Sequence, residues 1–423
     1  MQRRLTRPVG ALGLAVALAG ALATSAPAQA QESPESPELR PNKMGNALKE
    51  RVAKLDAELP NVGVGSLLAD ANRHATSSDE ACNDKALEES AEKPAITKSF
   101  CFEPGDNDTA DWYPQGVTTV ADAQQDQHWG ANQPILVSWY DHKADSTAKG
   151  VRVSFLDSRT GDYRHVLLAY PVINSYGNPS YESVRTDQDG GKSLHAGGIT
   201  WYGNFLYVAD TNRGFRVFDM RHIYDLGKAS NGTTEDPEKI GRHEGTYYGH
   251  GYRYVMPQVA SWTDSSPMHF SFTSLDRTGK DSIVAGEYCD AGGKYCDGKT
   301  HGTVAAWEIA GAVDGNGEQI TDPDYRWKPN DVHTMKETSI QGAARSNHRW
   351  YLSQSTGKDS NGVLHTTKQD PGAVLESESA QPLPIGPEDL SMWADSTGGL
   401  LAQNLWTVSE HPGKRMLYSV WAK

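Results

Sequence analysis

The sequence predicts an all-β fold, a β-propeller of repeated four-stranded blades, on three observations. From Trp112 onward, short β-rich runs alternate with Gly, Asn and Asp turns, and helical periodicity almost disappears. The runs recur in groups, each opening with a polar residue beside small ones: Gln115-Gly-Val-Thr-Thr, His195-Ala-Gly-Gly-Ile-Thr, Gln258-Val-Ala-Ser, Gln341-Gly-Ala-Ala and Gly386-Pro-Glu-Asp-Leu-Ser. Each opener leads to a more apolar strand, such as Ile135-Leu-Val-Ser-Trp-Tyr, Phe205-Leu-Tyr-Val-Ala-Asp, Phe270-Ser-Phe-Thr-Ser-Leu, Trp350-Tyr-Leu-Ser or Leu405-Trp-Thr-Val-Ser. A small-residue strand fits beside a narrow axis while bulkier strands widen outward, which is the order of strands in a blade. Five blades are visible, and their unequal spacing leaves room for six or seven. A β-sandwich with insertions is the competing fold, but it does not require a small-residue head on every unit.

In chain order, residues 1–30 read as a secretory signal peptide. Arg3, Arg4 and Arg7 precede an apolar run from Val9 to Ala23, and Ala28-Gln-Ala30 supplies a small-x-small cleavage site. Residues 31–97 read as an extension, with a disordered leader through Asn42 and then a helix from Gly45, whose Leu48, Val52, Leu55 and Leu59 share one face before Pro60. Ser77 to Glu92 is acidic, and Lys98-Ser-Phe-Cys-Phe is a short strand at the start of the propeller, residues 98–423. Four cysteines form two local pairs, Cys82 with Cys101 and Cys289 with Cys296, as expected of disulfides in an exported chain. A zinc site is the alternative, but the spacing of Cys289 and Cys296 is not that of a metal knuckle.

These readings place the mature protein outside the cell, as a monomer with no membrane span. Cleavage after Ala30 removes three Arg and no acid, leaving 37 basic residues against 54 acidic ones, a charge of −17. Such a balance disfavours nucleic acid and anionic membranes as partners. Eleven Trp and eighteen Tyr against eight Phe suit an extracellular polysaccharide or oligosaccharide, since sugar C–H faces pack on rings that also carry a hydrogen-bonding group.

Candidate functional residues follow from propeller geometry, because inner strands begin at the mouth of the central channel. The openers bring Gln115, His195, Gln258, Gln341, Glu388 and Asp389 there, with Arg345 four residues after Gln341 and Trp201 beside the second opener. Inner-strand amides also serve to tie blades together, and Trp residues also wedge between them, so both roles stay open. Glu388 and Asp389 are adjacent on a strand, so at most one of them addresses a ligand. The run Arg242-His-Glu-Gly-Thr-Tyr-Tyr248-Gly-His250-Gly-Tyr-Arg253 is unusually dense in His, Tyr and Arg for a connector. Zinc-protease, phosphate-loop and serine-elbow motifs are absent, and no cofactor motif stands out. Asp187-Gln-Asp189-Gly and Asp314-Gly-Asn316-Gly-Glu318 are incomplete calcium loops, which leaves calcium as the metal candidate and any bound metal unknown.

On the His195-Ala-Gly-Gly-Ile opener, the Tyr207-Val-Ala-Asp and Arg216-Val-Phe-Asp strands, and Gly386-Pro-Glu-Asp-Leu with Leu405-Trp-Thr-Val-Ser-Glu-His-Pro-Gly, residues 112–423 resemble secreted propeller proteins of actinobacteria. More distantly, the architecture is similar to propeller polysaccharide lyases, including rhamnose-glucuronate lyases. That resemblance implies a lyase acting on a uronic-acid-containing glycan. β-Elimination needs a base, for which His195 or His250 is available, an acid, Tyr248, and a carboxylate clamp, Arg345 with Arg253. A glycoside hydrolase is the next reading, and a glycan- or protein-binding propeller without catalysis is the alternative of a different class.

Overall fold

The computed structural model describes residues 36–422, apart from 90, 144–146, 187–190, 265, 267 and 395–402. The expected signal peptide and the Asp187 loop therefore lie outside the described residues. Within them the chain builds five blades of four antiparallel strands, the first four taking their strands in sequence order from the axis outward; the outer strands of blades 1 and 2 also pair with each other in parallel, Tyr254–Pro257 beside Val166–Ala169. Blade 1 runs Trp112–Thr119, Pro134–Asp141, Val151–Asp157 and Asp162–Ile173. Blade 2 runs Ile199–Tyr202, Phe205–Asp210, Gly214–Asp219 and Tyr254–Asp264. Blade 3 runs Phe272–Asp276, Ser282–Gly286, Thr303–Glu308 and Asp331–Met335. Blade 4 runs Ile340–Ser346, Arg349–Gln354, Asn361–Thr367 and Ser377–Ile385.

Blade 5 takes only three strands from the C-terminus, Ser391–Ala394, Gln403–Val408 and Leu417–Trp421. Its outermost strand is Ile96–Cys101, where Phe100 pairs with Leu417. The N-terminal segment thus closes the ring, and Thr76–Ser78 adds an edge beyond it. This pairing leaves no open edge between the first and last blades. Cys82 and Cys101 are bonded across the closing strand, and Cys289 is bonded to Cys296 in a loop of blade 3.

The axis explains the small residues. A Cβ added to Gly197 would lie 2.1 Å from Ser271 O, and one on Gly198 would lie 2.2 Å from Thr273 N, so blades 2 and 3 approach too closely there for any side chain. Into this crowded centre Asp389 projects its carboxylate. It accepts backbone N–H bonds from Val117 (3.2 Å), Ile199 (3.1 Å) and Thr273 (3.1 Å), one from each of blades 1, 2 and 3. Large side chains pack outward between the sheets: Trp139 and Trp406 between blades 5 and 1, Trp262, Trp307 and Trp327 between blades 2 and 3. The helix Gly45–Asp56 lays Leu48, Val52 and Leu55 on the propeller and stops three residues before Leu59.

Three expectations change. Leu39–Pro41, expected within a disordered leader, is a strand on Trp262–Asp264, and Leu39 is fully buried. Gln258 does not open an inner strand; it lies on the outermost strand of blade 2, where its amide binds Ala260 O (3.1 Å) and receives Arg216 (3.3 Å). The inner strand of blade 3 is Phe272–Asp276 instead. A polar residue followed by small ones suits any position where two sheets meet closely, so the pattern alone does not separate inner from outer strands.

Candidate functional site at the channel mouth

Inner strands start at one end of the channel, and second strands return to that same end. Their meeting forms a cavity of about 530 Å³ to which every blade contributes: Gln115, His195 with Thr211 and Asn212, Ser271 with Tyr288, Gln341, and Glu410. A hood formed by Lys294, Tyr295 and Asp297, within the Cys289–Cys296 loop region, covers one side. Tyr288 and Tyr295 rings lie 5.6 Å apart, Lys294 Nζ donates to Tyr295 Oη at 2.8 Å, and His269 Nε2 sits 3.1 Å from Asp297 Oδ2.

One carboxyl group lies on the floor and a second is buried behind it. Glu410 follows the second strand of blade 5, and its side chain keeps 20% of its surface exposed. Gln115 Nε2 donates to Glu410 Oε2 at 3.1 Å, and His411 Nδ1 lies 3.6 Å from Oε1. Burial raises the Glu410 pKa above the usual carboxylate value, against the opposing influence of His411, Gln115 and Arg415. Glu388 is fully buried and accepts Gln341 Nε2 at 3.2 Å. Burial, then the like charges of Glu410 and Asp389, hold its pKa well above normal. Glu388 and Asp389, in the segment that leads into the strand Ser391–Ala394, do point apart, but neither lines the cavity: Asp389 faces the axis and Glu388 sits behind Gln341.

An aromatic layer surrounds the pair. Tyr140 packs against His195 with ring centroids 4.6 Å apart, and its phenol pKa is raised by burial, then by Glu410 and Glu388. His195 is pushed down to about 4 by burial and by His142, so its imidazole is neutral at pH 7. Arg415 is fully buried, lies 5.0 Å over the Tyr113 ring and donates its Nε to the Glu410 carbonyl at 2.9 Å. Burial pushes its guanidinium down to about 10.

Of the residues expected at the site, the structure brings Gln115, His195 and Gln341 together at the mouth, with Glu388 behind. It does not bring the others. Arg345 stands at the opposite end, bound to Asp276 (2.6 Å) and Asp331 (2.7 Å), because four residues along a strand carry it about 13 Å down the channel. Trp201 is core: it is fully buried, 4.8 Å from the Trp129 ring, with its indole N–H on Gly203 O. Tyr248, His250 and Arg253 belong to the long excursion between the third and fourth strands of blade 2, which folds as its own small sheet of Gly232–Thr233, Ile240–His243 and Thr246–Gly249. There His250 lies between Ser183 Oγ (3.0 Å) and Pro237 O (3.2 Å), and Arg253 binds Asp225 and Asp70. The proposed base, acid and clamp for elimination are therefore dispersed over the molecule.

Sequence reasoning missed Glu410, Tyr140, Ser271 and the hood. A signal was present: if inner strands start at the mouth, second strands must end there, which points to Tyr140-Asp-His142, Thr211-Asn212, Tyr288 and Ser409-Glu410. Among the described residues no group of three or more His, Cys, Asp or Glu side chains is placed to hold a metal. Asp314 instead caps its own hairpin, accepting the N–H groups of Asn316 (2.8 Å) and Glu318 (3.1 Å). No helix among them is long and apolar enough to cross a membrane.

No protein-family model and no curated protein matches the chain. Among solved structures it is similar to a β-xylosidase, at 10% identity, covering 74% of this chain and 93% of that one with a TM-score of 0.38. It is similar to a GH43_1 enzyme from Xanthomonas citri, at 9% identity over 75% and 91% of the two chains with a TM-score of 0.37. A Staphylococcus aureus phage tail fibre covers 88% of this chain and 56% of its own at 10% identity, with a TM-score of 0.33.

Proposed function

We propose that the protein is a carbohydrate-active enzyme that binds an oligosaccharide at the channel mouth and cleaves it by acid–base chemistry at Glu410. The observation that carries this reading is a partly exposed carboxyl with a raised pKa, opening into a cavity ringed by amides and phenols. Cleaving a glycosidic bond requires a proton for the leaving oxygen, and a carboxyl kept protonated by its surroundings supplies one. Burial is what raises Glu410, and its charge in turn helps raise the pKa of Glu388, which is buried more deeply. Gln115 orients the carboxyl, while the neutral His195, Gln341 and the hood tyrosines offer hydrogen bonds to sugar hydroxyls.

Hydrolysis fits this floor better than elimination. Elimination needs a cation to neutralise the substrate carboxylate, and neither arginine expected for it lines the channel mouth, where Lys294 donates to Tyr295 instead. The test is incubation with a panel of neutral and acidic oligosaccharides, following both reducing-end release and the ultraviolet absorbance of unsaturated uronates. Reducing ends without absorbance are expected, and Glu410→Gln should lower kcat at least about 100-fold. Unsaturated products, or full activity in that variant, would overturn the assignment. Glycan binding with no product from any substrate would favour a purely recognising propeller.

A further inference from the structure

The His-, Tyr- and Arg-rich excursion of blade 2 borders a second cavity, of about 270 Å³, that shares no lining residue with the channel mouth. Its wall carries the cations Arg73, Lys149, Arg164 and Arg253 beside Trp112 and Tyr252, and no Asp or Glu is among the lining residues. The carboxylates that pair with these cations do not line the cavity, and two of them are shared. Asp70 serves both Arg253 (2.9 Å) and Arg164 (3.6 Å), Asp106 serves Arg73 (3.2 Å) and the buried Arg152 (2.7 Å), and Arg253 is held by Asp225 as well (2.7 Å), so that with Glu238 on Lys149 four carboxylates face five cations. Lys149 pairs with Glu238 at 3.3 Å, and that glutamate is 79% exposed.

Sharing leaves the space in front of the guanidiniums positive, in a chain whose overall charge is −14. The Arg164 guanidinium responds to it: burial first, with the charges of Arg253 and Arg73 added, lowers its pKa despite Asp70. Arg152 lies over the Trp112 ring at 4.7 Å and keeps a buried Nε with no hydrogen-bond partner. Arginine forks match the paired oxygens of carboxylate and sulfate, and three of them lining one half-open cavity form a receptor for such a group.

We infer that this cavity is an oxyanion-binding site, taking the carboxylate or sulfate of an acidic sugar or a free inorganic anion of the same chemistry. It is distinct from the channel mouth and does not depend on the reading of Glu410. Isothermal titration of the full chain with sodium glucuronate, sodium sulfate and glucose, at constant ionic strength, tests it. Saturable binding of one or both anions and none of glucose is expected, weakening as salt rises. Lys149→Ala and Arg73→Gln should each weaken that binding about ten-fold, and Glu410→Gln should leave it unchanged. Glucuronate binding more tightly than sulfate assigns the site to an acidic sugar; the reverse order assigns it to the simple anion. Absence of saturable anion binding overturns the site, as does wild-type affinity in the Lys149 variant, whose exposed ion pair makes it the safer of the two to fold.

Discussion

At the scale of single residues, Glu388 and Glu410 form one titrating unit, and removing one should reveal itself in the other. A carboxyl whose folded pKa lies above its unfolded value contributes most stability below that unfolded value, and loses it as pH rises through the folded one. Glu388 is such a group. Glu388→Gln keeps an oxygen for Gln341 and removes the ionisation. Its stability relative to wild type should therefore improve steadily as pH rises above the unfolded value of 4.5, read by urea denaturation across that rise. Glu410→Gln removes the like charge that helps raise Glu388, so the same comparison made in that background should show a smaller pH dependence. An unchanged pH dependence would show that the two groups do not communicate. Asp389 makes a different demand. Its burial is offset by three backbone donors, so Asp389→Ala strands three N–H groups at the axis and should cost about 3 kcal/mol or more, seen as a lower urea midpoint.

At the scale of elements, two short segments have effects larger than their length. Ile96–Cys101 is paired on both sides, with Leu417–Val420 and with Thr76–Ser78, and it is what joins the last blade to the N-terminal segment. Ser99→Pro removes a ladder donor in that strand and should destabilise the whole ring by about 3 kcal/mol, with a single cooperative transition rather than local fraying. The hood is the opposite case. Replacing both Cys289 and Cys296 with Ser loosens a loop that touches the mouth but holds no blade together. It should raise KM several-fold while changing kcat little, provided Tyr295 and Lys294 contact the substrate. Both elements were partly legible: the Lys98-Ser-Phe-Cys-Phe run reads as a strand and the cysteine spacings read as disulfides. That the strand belongs to blade 5 was not legible, because its partners lie more than 300 residues away in the chain.

At the scale of the whole molecule, the seam where the ring closes is held by an ionic network centred on Asp106. Arg152 (2.7 Å), His165 and Tyr163 from blade 1 reach its carboxyl, and Arg415 from blade 5 donates to its carbonyl at 2.7 Å. Burial by itself would raise that carboxyl, yet His165, Arg152 and Tyr163 hold it far below the usual range. Because His165 is itself pushed down to about 3, the guanidiniums carry most of the effect at neutral pH. A depressed folded pKa gives stability that is present above the unfolded value near 3.8 and is lost as pH falls. Asp106→Asn should therefore cost about 3–5 kcal/mol at pH 7, and the gap from wild type should narrow below about pH 4 in parallel denaturation curves.

The sequence by itself determined the strand repeat, four of the five inner-strand groups, the amphipathic face of the first helix, the disulfide partners, and the presence of Gln115, His195 and Gln341 at one end of one channel. These are local properties: alternation along a strand and the crowding of an axis leave their mark within a few residues. Only the tertiary structure decided that Gln258 sits on an outer strand, that Arg345 faces the far end, that His250 and Arg253 line a separate cavity, and that Glu410 reaches the floor with Glu388 behind it. Those placements depend on how far a strand carries a side chain and on which distant segments pair to close the ring. Neither is written in the spacing of any single motif.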